Sequence, residues 1–172
     1  MRQVSQADFD AEALYAVLKE QLAQVWSTLG ERVCLVGIAS GGAWVAQRLH
    51  AEWGLPGEVG IISSSMHRDD FAQRGLAASS MQTRLPFDVE GATVVLVDDV
   101  LHTGRTLRAV LNELFDYGRP ARVALAVLVD RGERQLPVAA DWVAQVHELP
   151  TNVVLSLSRS DDGRFAFEVE EA

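Results

Sequence analysis

The chain has 172 residues, of which 48% are hydrophobic and 23% are charged, and its 15 Lys and Arg against 24 Asp and Glu give a formal charge of −9. These values are typical of one folded domain, residues 1–172, and exclude collagen-like, coiled-coil and disordered chains. The negative charge disfavours RNA, DNA and anionic membranes as partners. The N-terminus lacks the apolar stretch of a signal peptide and no apolar run is long enough to span a membrane, so we expect a cytoplasmic protein.

Hydrophobic spacing of three and four residues predicts helices, and continuous apolar runs predict buried strands. In chain order the predicted elements are helix 14–29, strand 33–38, helix 44–53, strand 59–62, strand 93–97, helix 105–115, strand 123–129 and short strands at 142–146, 153–157 and 165–169. Residues 63–84 have no sustained period and predict a mobile loop. The alternation of strands and helices predicts an α/β fold with a mainly parallel sheet, while the last three strands predict an antiparallel finish or a small cap. We expect ligands at the carboxyl ends of the parallel strands.

The single cysteine, Cys34, excludes an intrachain disulfide. It lies within an apolar run, and we therefore predict a buried, inert thiol.

The segment from residue 94 to residue 106 carries the clearest chemical signal. Four apolar residues precede Asp98 and Asp99, and the turn Thr103-Gly104-Arg105-Thr106 then opens a helix. Backbone amides at a helix N-terminus and two hydroxyls suit a phosphate, and Gly104 permits close backbone approach. Because the two carboxylates would repel that phosphate, their partners are sugar hydroxyls or a bridging cation. The expected ligand is a sugar phosphate with Mg²⁺.

This segment resembles the loop that binds phosphoribosyl pyrophosphate (PRPP) in type I phosphoribosyltransferases, which has four apolar residues, two acids, two apolar residues and Thr-Gly-x-Thr. The runs 118–122 and 127–137 are similar to those of the pyrimidine-operon attenuation regulators with uracil phosphoribosyltransferase activity. The likeness covers residues 37–150. It implies the type I phosphoribosyltransferase fold, conversion of uracil and PRPP to uridine monophosphate (UMP) and pyrophosphate, a Mg²⁺ cofactor and a homo-oligomer.

The resemblance also implies roles for individual residues. Asp98 and Asp99 would hold the ribose hydroxyls, with Mg²⁺ contacted directly or through water, and residues 103–106 would hold the 5′-phosphate. His102 stands beside the anomeric carbon, where related purine enzymes have an acidic residue suspected of proton transfer; the alternative is a solvent-facing turn histidine. Arg68 and Arg74 would neutralise the pyrophosphate, and the alternative for Arg74 is a surface residue.

For the base, the resemblance implies that Trp142 stacks on the ring and that Val143 offers backbone polar groups. The alternative for Trp142 is a core residue at the edge of the sheet.

The sequence departs from the family pattern in three places. Ala39 and Gly41 stand where basic residues are usual in the pyrophosphate turn, although backbone amides and Ser40 still form an anion nest there. Glu133 replaces a common histidine, and Ala139-Ala140 replaces a basic residue near the base.

These departures keep two alternatives open: a uridine-nucleotide-sensing, RNA-binding regulator with little catalysis, and a phosphoribosyltransferase for another base. RNA binding would need a local patch, for which the candidates are Arg119, Arg122, Arg131 and Arg134.

Other functions fail on the residues present. The turn 37–42 contains neither the Gly-x-x-x-x-Gly-Lys of a P-loop nor a Gly-x-Ser-x-Gly elbow, which excludes nucleoside triphosphatases and serine hydrolases of those types. Lys19, in the first predicted helix, is the only lysine, so the lysine that a phosphorelay receiver needs after a later strand is missing. No set of Cys and His has zinc-ligand spacing.

Overall fold

The structure is a computed structural model that describes residues 5–64 and 81–171. The α-helices of this part are α1 (Ala11–Val25), α2 (Gly41–Trp53) and α3 (Arg105–Asp116). Its strands are β1 (Val33–Ile38), β2 (Gly60–Ile62), β3 (Thr93–Leu101), β4 (Arg122–Asp130), β5 (Trp142–Val146), β6 (Val153–Arg159) and β7 (Phe165–Glu171). No helix in the described ranges is both long and apolar enough to cross a bilayer.

Five strands form a parallel sheet in the order β2-β1-β3-β4-β5, while β6 and β7 pair antiparallel as a separate hairpin. The predicted α/β architecture with a mainly parallel sheet is thus confirmed. The strand at 142–146, which the sequence grouped with the antiparallel finish, instead runs parallel to β4. Residues 131–141 carry the chain back to the start of the sheet, and this return is what a parallel neighbour requires.

The two faces of the sheet bury alternate residues of each strand, as the two-residue period of a strand demands. Leu35, Val95 and Val97 pack in one cluster together with buried side chains of α1, α2 and the β6–β7 hairpin. Val36, Val94 and Leu96 pack in a second cluster with α3. Apolar burial of this kind stabilises the fold by roughly 1.5–3 kcal/mol per large side chain. The helices and the hairpin therefore fix the sheet edge where the strands end.

Strand β3 is longer than the sequence predicts. It continues past residue 97 to Leu101 because β4 keeps pairing with it, Asp98 lying beside Val127 and Leu101 beside Asp130. The two carboxylates therefore belong to the strand and do not lie in a loop after it. This places them on the central strand of the sheet.

Cys34 on β1 is partly rather than fully buried, so the prediction of a core position was too strong. Burial raises the pKa of its thiol, which lowers the thiolate fraction and agrees with an unreactive group.

Candidate functional site

A cavity of about 450 Å³ opens at the carboxyl ends of β1 and β3. Its lining combines four stretches of the chain, namely residues 39–41, residues 98–106 in part, the residue that follows β4, and the start of the hairpin. The lining residues are Ala39, Ser40, Gly41, Asp98, Asp99, Val100, His102, Thr106, Arg131, Thr151, Val153, Val154 and Leu155. Most of the predicted site residues therefore lie around one cavity.

A smaller cavity of about 140 Å³ adjoins it, because both are lined by Asp98, Val100, His102 and Thr106. The smaller one also reaches Thr103 and Gly104 at the start of α3. Arg105 is the first residue of α3 and is exposed. Arg68 and Arg74 lie outside the described residues.

Backbone amides fix the orientation of both carboxylates. The amide of Asp99 donates to Oδ1 of Asp98 at 2.9 Å, and the amide of Val100 donates to Oδ1 of Asp99 at 2.9 Å. The other oxygen of Asp99, Oδ2, accepts from the amide of Leu157 on β6 at 3.2 Å. The C-terminal hairpin thus holds Asp99, a contact that the sequence did not indicate.

The turn before α2 packs directly against β3. A Cβ atom on Gly41 would lie 2.4 Å from Asp99 Oδ2, and one on Gly42 would lie 2.2 Å from the carbonyl oxygen of Val97. Real Cβ contacts are essentially never this short, so position 42 accepts no side chain while the backbone of β3 stays in place. A side chain at position 41 would require the carboxylate of Asp99 to move.

The start of α3 is shaped for close approach of a ligand to the backbone. Gly104 precedes the helix with a φ of +92°, a conformation that favours glycine, and a Cβ there would lie 2.5 Å from Val138 Cγ2. The amide of Arg105 donates to Thr103 Oγ1 at 3.3 Å. The helix dipole makes this terminus a favourable position for an anion, as the sequence predicts.

The segment that follows β4 braces the turn from Leu101 to Thr103. The amide of Arg131 donates to the carbonyl of Leu101 at 3.0 Å, and the amide of Gln135 donates to the carbonyl of Thr103 at 2.9 Å. The guanidinium of Arg134 donates to the carbonyl of His102, and also to Asp130 Oδ2 at 2.6 Å. The phosphate turn is therefore held by hydrogen bonds to three consecutive carbonyls, those of Leu101, His102 and Thr103.

The imidazole of His102 pairs with a carboxylate. Its Nε2 lies 3.3 Å from Oε2 of Glu133, whose backbone has a φ of +52°. Glu133, one of the departures from the family pattern, thus faces the residue that was a candidate for proton transfer. His102 is about one third exposed, and both its role in proton transfer and the alternative of a solvent-facing turn histidine stay predictions.

The four arginines considered as an RNA-binding patch do not form one surface. Arg131 is 4% exposed and Arg134 is turned inward towards Asp130, while Arg119 and Arg122 are exposed. A surface patch of all four is therefore wrong, because Arg131 is buried in the lining of the cavity and the guanidinium of Arg134 is bonded to Asp130 and to the carbonyls of His102 and Val138.

Trp142 and Val143 lie on β5, away from the residues that line the cavity. Trp142 is half-buried against the cluster that α1 covers, and it pairs with Ala126, four residues before the end of β4. The carbonyl of Val143 accepts from Nε2 of Gln21 on α1 at 3.1 Å. Their contact with a base stays a prediction.

Arg131 and the hairpin residues 151–155 are site residues that the sequence did not identify as such. The position of Arg131 directly after β4 was the available signal, because the carboxyl ends of parallel strands meet at the site. Thr151 and the apolar start of β6 carry no comparable signal. Only the reversal of the chain after β5 brings them to the cavity.

The carboxylates of Asp98 and Asp99 are suited to a Mg²⁺ ion that is also bound by the phosphates of a substrate. Within residues 5–64 and 81–171 no group of three or more His, Cys, Asp and Glu is arranged to hold a metal. Mg²⁺ at phosphate sites is bound by one or two carboxylates and by the phosphates of the substrate, and it keeps several waters. Asp98 and Asp99 match that role, in which the cation arrives with its ligand.

Comparisons with known proteins agree with this geometry. The sequence profile of the family described as "Phosphoribosyl transferase domain" matches residues 6–155. The chain is 52% identical over 162 residues to the "Bifunctional protein PyrR" of Ralstonia nicotianae, covering 92% of each chain. It is 43% identical over 136 residues to the protein of the same name from Nitrosococcus oceani, covering 78% of this chain and 77% of that protein.

Solved structures show the same fold at lower sequence identity. A hypoxanthine phosphoribosyltransferase from Staphylococcus aureus superposes with a TM-score of 0.60 at 23% identity, covering 83% of this chain and 77% of the other. A purine phosphoribosyltransferase from Pyrococcus horikoshii gives a TM-score of 0.56 at 20% identity, with coverage of 81% and 85%. At these identities the likeness concerns the fold.

Proposed function

Because this chain belongs to the phosphoribosyl transferase domain family, and within it to the bifunctional PyrR proteins, we propose that it converts uracil and PRPP to UMP and pyrophosphate. The observation that carries the proposal is the meeting, in one cavity, of Asp98 and Asp99 with the glycine turn 39–41 and the start of α3. These are the parts needed to hold a ribose, a pyrophosphate and a 5′-phosphate. Residues 1–172 act as one phosphoribosyltransferase domain in this proposal.

Each group of PRPP has a matching surface. Asp98 and Asp99 accept hydrogen bonds from the ribose hydroxyls and, with the phosphates, hold Mg²⁺. Thr103, Gly104, Arg105 and Thr106 bind the 5′-phosphate at the N-terminus of α3. The backbone of Ala39, Ser40 and Gly41 binds the pyrophosphate, with Arg68 as its cationic partner. Bound Mg²⁺ neutralises charge that develops on the leaving pyrophosphate.

The reaction forms the bond between N1 of uracil and the anomeric carbon while the bond from that carbon to the pyrophosphate oxygen breaks. Positive charge develops on the sugar ring, as in glycoside hydrolysis, so the fixed carboxylates of Asp98 and Asp99 stabilise it. The proton leaves N1, and in this proposal it is accepted by His102, whose Nε2 lies 3.3 Å from Oε2 of Glu133. Trp142 and Val143 are proposed to contact the base from β5.

The test is UMP formation from uracil and PRPP with Mg²⁺, comparing the wild type with Asp99→Asn and offering hypoxanthine, guanine and orotate in parallel. We expect turnover with uracil that the substitution reduces by at least about 100-fold and that a chelator of Mg²⁺ abolishes. Turnover with a different base would assign another phosphoribosyltransferase. Binding of PRPP or UMP without turnover of any base would identify a non-catalytic sensor.

A second role is favoured by the name of the two relatives, which are both bifunctional PyrR proteins. We propose that the chain also regulates a pyrimidine operon by binding a transcript in response to uridine nucleotides, in the cytoplasm and as a homo-oligomer. Of the four arginines that are candidates for contacting RNA, Arg119 and Arg122 are exposed. Retention of the operon leader RNA that depends on UMP and weakens with salt would support this role. Retention that UMP does not change would contradict it.

A further inference from the structure

Arg131 is a buried cation whose bonds reach across to the hairpin. It is 4% exposed, and its guanidinium donates from Nη1 to the carbonyl of Val153 at 2.6 Å and from Nη2 to the carbonyl of Pro150 at 2.9 Å. Its Nε is buried and has no partner among the described residues. Both partners are neutral backbone oxygens of the segment that leads into β6. A guanidinium fork is suited to holding two such acceptors at a fixed spacing.

That segment forms one wall of the main cavity. Thr151, Val153, Val154 and Leu155 line it together with Arg131 and residues 39–41. Thr151 and Asn152 lie between the two carbonyls that Arg131 holds, and both are exposed. Val153 and Leu155 are buried in the core, and the amide of Val153 donates to the carbonyl of Pro150 at 3.0 Å, so the two guanidinium bonds hold the exposed residues 151 and 152 against a segment that is already anchored.

We propose that Arg131 is a positioning residue that sets the base-facing wall of the site by clamping Pro150 and Val153. The inference rests on the proposed function. With the ribose on Asp98 and Asp99, the 5′-phosphate at the start of α3 and the pyrophosphate at residues 39–41, the wall 151–155 is the part of the cavity lining that no group of PRPP takes, so it faces the base in addition to the contacts proposed from β5. The guanidinium of Arg131 holds Pro150 and Val153 and not Leu157, the hairpin residue that bonds Asp99, so Arg131 acts on recognition of the pyrimidine more than on PRPP.

The test is Arg131→Lys with uracil and PRPP varied separately. Lysine keeps the positive charge but offers no planar fork, so it cannot hold both carbonyls at their present spacing. We expect KM for uracil to rise at least about tenfold while KM for PRPP stays within about twofold. The matched control is Arg164→Lys, an exposed arginine in the turn of the same hairpin, which should leave both KM values unchanged.

A second variant probes the wall without touching the cation. Inserting one glycine between Thr151 and Asn152 changes the spacing of the two acceptors, and it should raise KM for uracil in the same selective way. Hydrogen exchange at the amides of 153–157 should become faster in both variants than in the wild type and the Arg164→Lys control.

The outcomes separate clearly. An unchanged KM for uracil in a folded Arg131→Lys protein, or an equal rise in both KM values, would overturn the proposal. If neither variant folds, Arg131 serves the fold and not the wall, and the proposal is also wrong. Failure of the proposed function would appear earlier, as absence of UMP formation by the wild type; the affinity of wild type and variant for UMP, measured by calorimetry, then tests the clamp by itself.

Discussion

Gly41 and Asp99 are in such close contact that a Cβ atom on the glycine would lie 2.4 Å from Oδ2 of the carboxylate. The same oxygen accepts the amide of Leu157 from the opposite side. Asp99 is therefore confined between α2 and the C-terminal hairpin, with its remaining oxygen bonded to the amide of Val100. The absence of a side chain at position 41 is what allows this confinement.

We expect Gly41→Ala to reduce turnover by roughly 100-fold, because the added methyl group must displace the carboxylate of Asp99 and misplacement of about 1 Å has effects of that size. Steady-state kinetics with uracil and PRPP measure the loss. The control is Gly57→Ala, since Gly57 has a φ of +73° but open space around it. The Gly57→Ala protein should be less stable but have the kinetic constants of the wild type. Near-normal kinetics in Gly41→Ala would contradict the prediction, because they would show that turnover does not depend on the orientation of Asp99.

The pair of His102 and Glu133 should act on turnover more than on binding. We expect His102→Asn to lower kcat by about 100-fold, as for loss of a general base, with KM for PRPP little changed. Glu133→Gln should produce a smaller reduction in kcat, because the imidazole remains but loses its orienting carboxylate. Full turnover in His102→Asn would contradict a role in proton transfer and would identify His102 as a turn residue without a catalytic function.

Trp142 offers a direct choice between a base contact and a core position. If the indole stacks on the base, Trp142→Leu raises KM for uracil by roughly five- to tenfold while KM for PRPP is unchanged, which corresponds to about 1–1.5 kcal/mol of aromatic contact. A core role instead lowers the melting temperature and leaves both KM values alone. Since the indole is half-buried in the cluster that α1 covers, melting and kinetics should be measured on the same preparation.

Glu52 gives the fold a defined dependence on pH. Its carboxylate accepts from Lys19 Nζ at 2.7 Å, from the hydroxyl of Tyr15 at 2.8 Å and from Arg48 Nε at 3.1 Å. These bonds, led by that from Lys19, lower the pKa of Glu52 from 4.5 to about 2. Because the pKa is depressed in the folded state, the stabilisation is complete above pH 4.5 and is lost as the pH falls towards 2.

Replacing this carboxylate removes that dependence. We expect Glu52→Gln to lower the free energy of unfolding at pH 7 by about 1 kcal/mol, a modest value because the side chain is one third exposed and screened by solvent. The difference from the wild type should shrink below pH 4.5 and vanish near pH 2, as followed by urea denaturation. Glu168→Gln, an exposed position on β7, is the control, and a difference that grew on acidification would contradict the sign.

The sequence predicted the regular elements well where one force dominates. Continuous apolar runs placed β1 and β4 within one residue of their bounds, and the spacing of Leu107, Leu111 and Leu114 placed α3. The extension of β3 through Asp98 and Asp99 was missed because it depends on pairing with β4 and not on local hydrophobicity. The parallel direction of β5 was missed for a similar reason, since a short strand carries no sign of its orientation.

For the site too, the sequence predicts the residues of a local motif and misses those that distant segments contribute. Residues in one continuous motif, from Asp98 to Thr106, were found together because the motif is local. Arg131 and the hairpin wall were not, because they reach the cavity through folding of a segment far along the chain. The inward position of Arg134 likewise depends on carbonyl acceptors, including that of His102, which no sequence pattern displays.

Two hydrogen bonds of the C-terminal hairpin join distant parts of the chain. The amide of Leu157 reaches Asp99, and the amide of Phe165 reaches Glu12 Oε1 at 2.7 Å, across 58 and 153 positions of sequence. During synthesis by a ribosome, β3 and the phosphate turn emerge well before the hairpin that fixes their carboxylate. A nascent chain therefore gains an oriented Asp99 only in the last stage of its translation, so that chains interrupted before residue 157 carry the motif without a finished site.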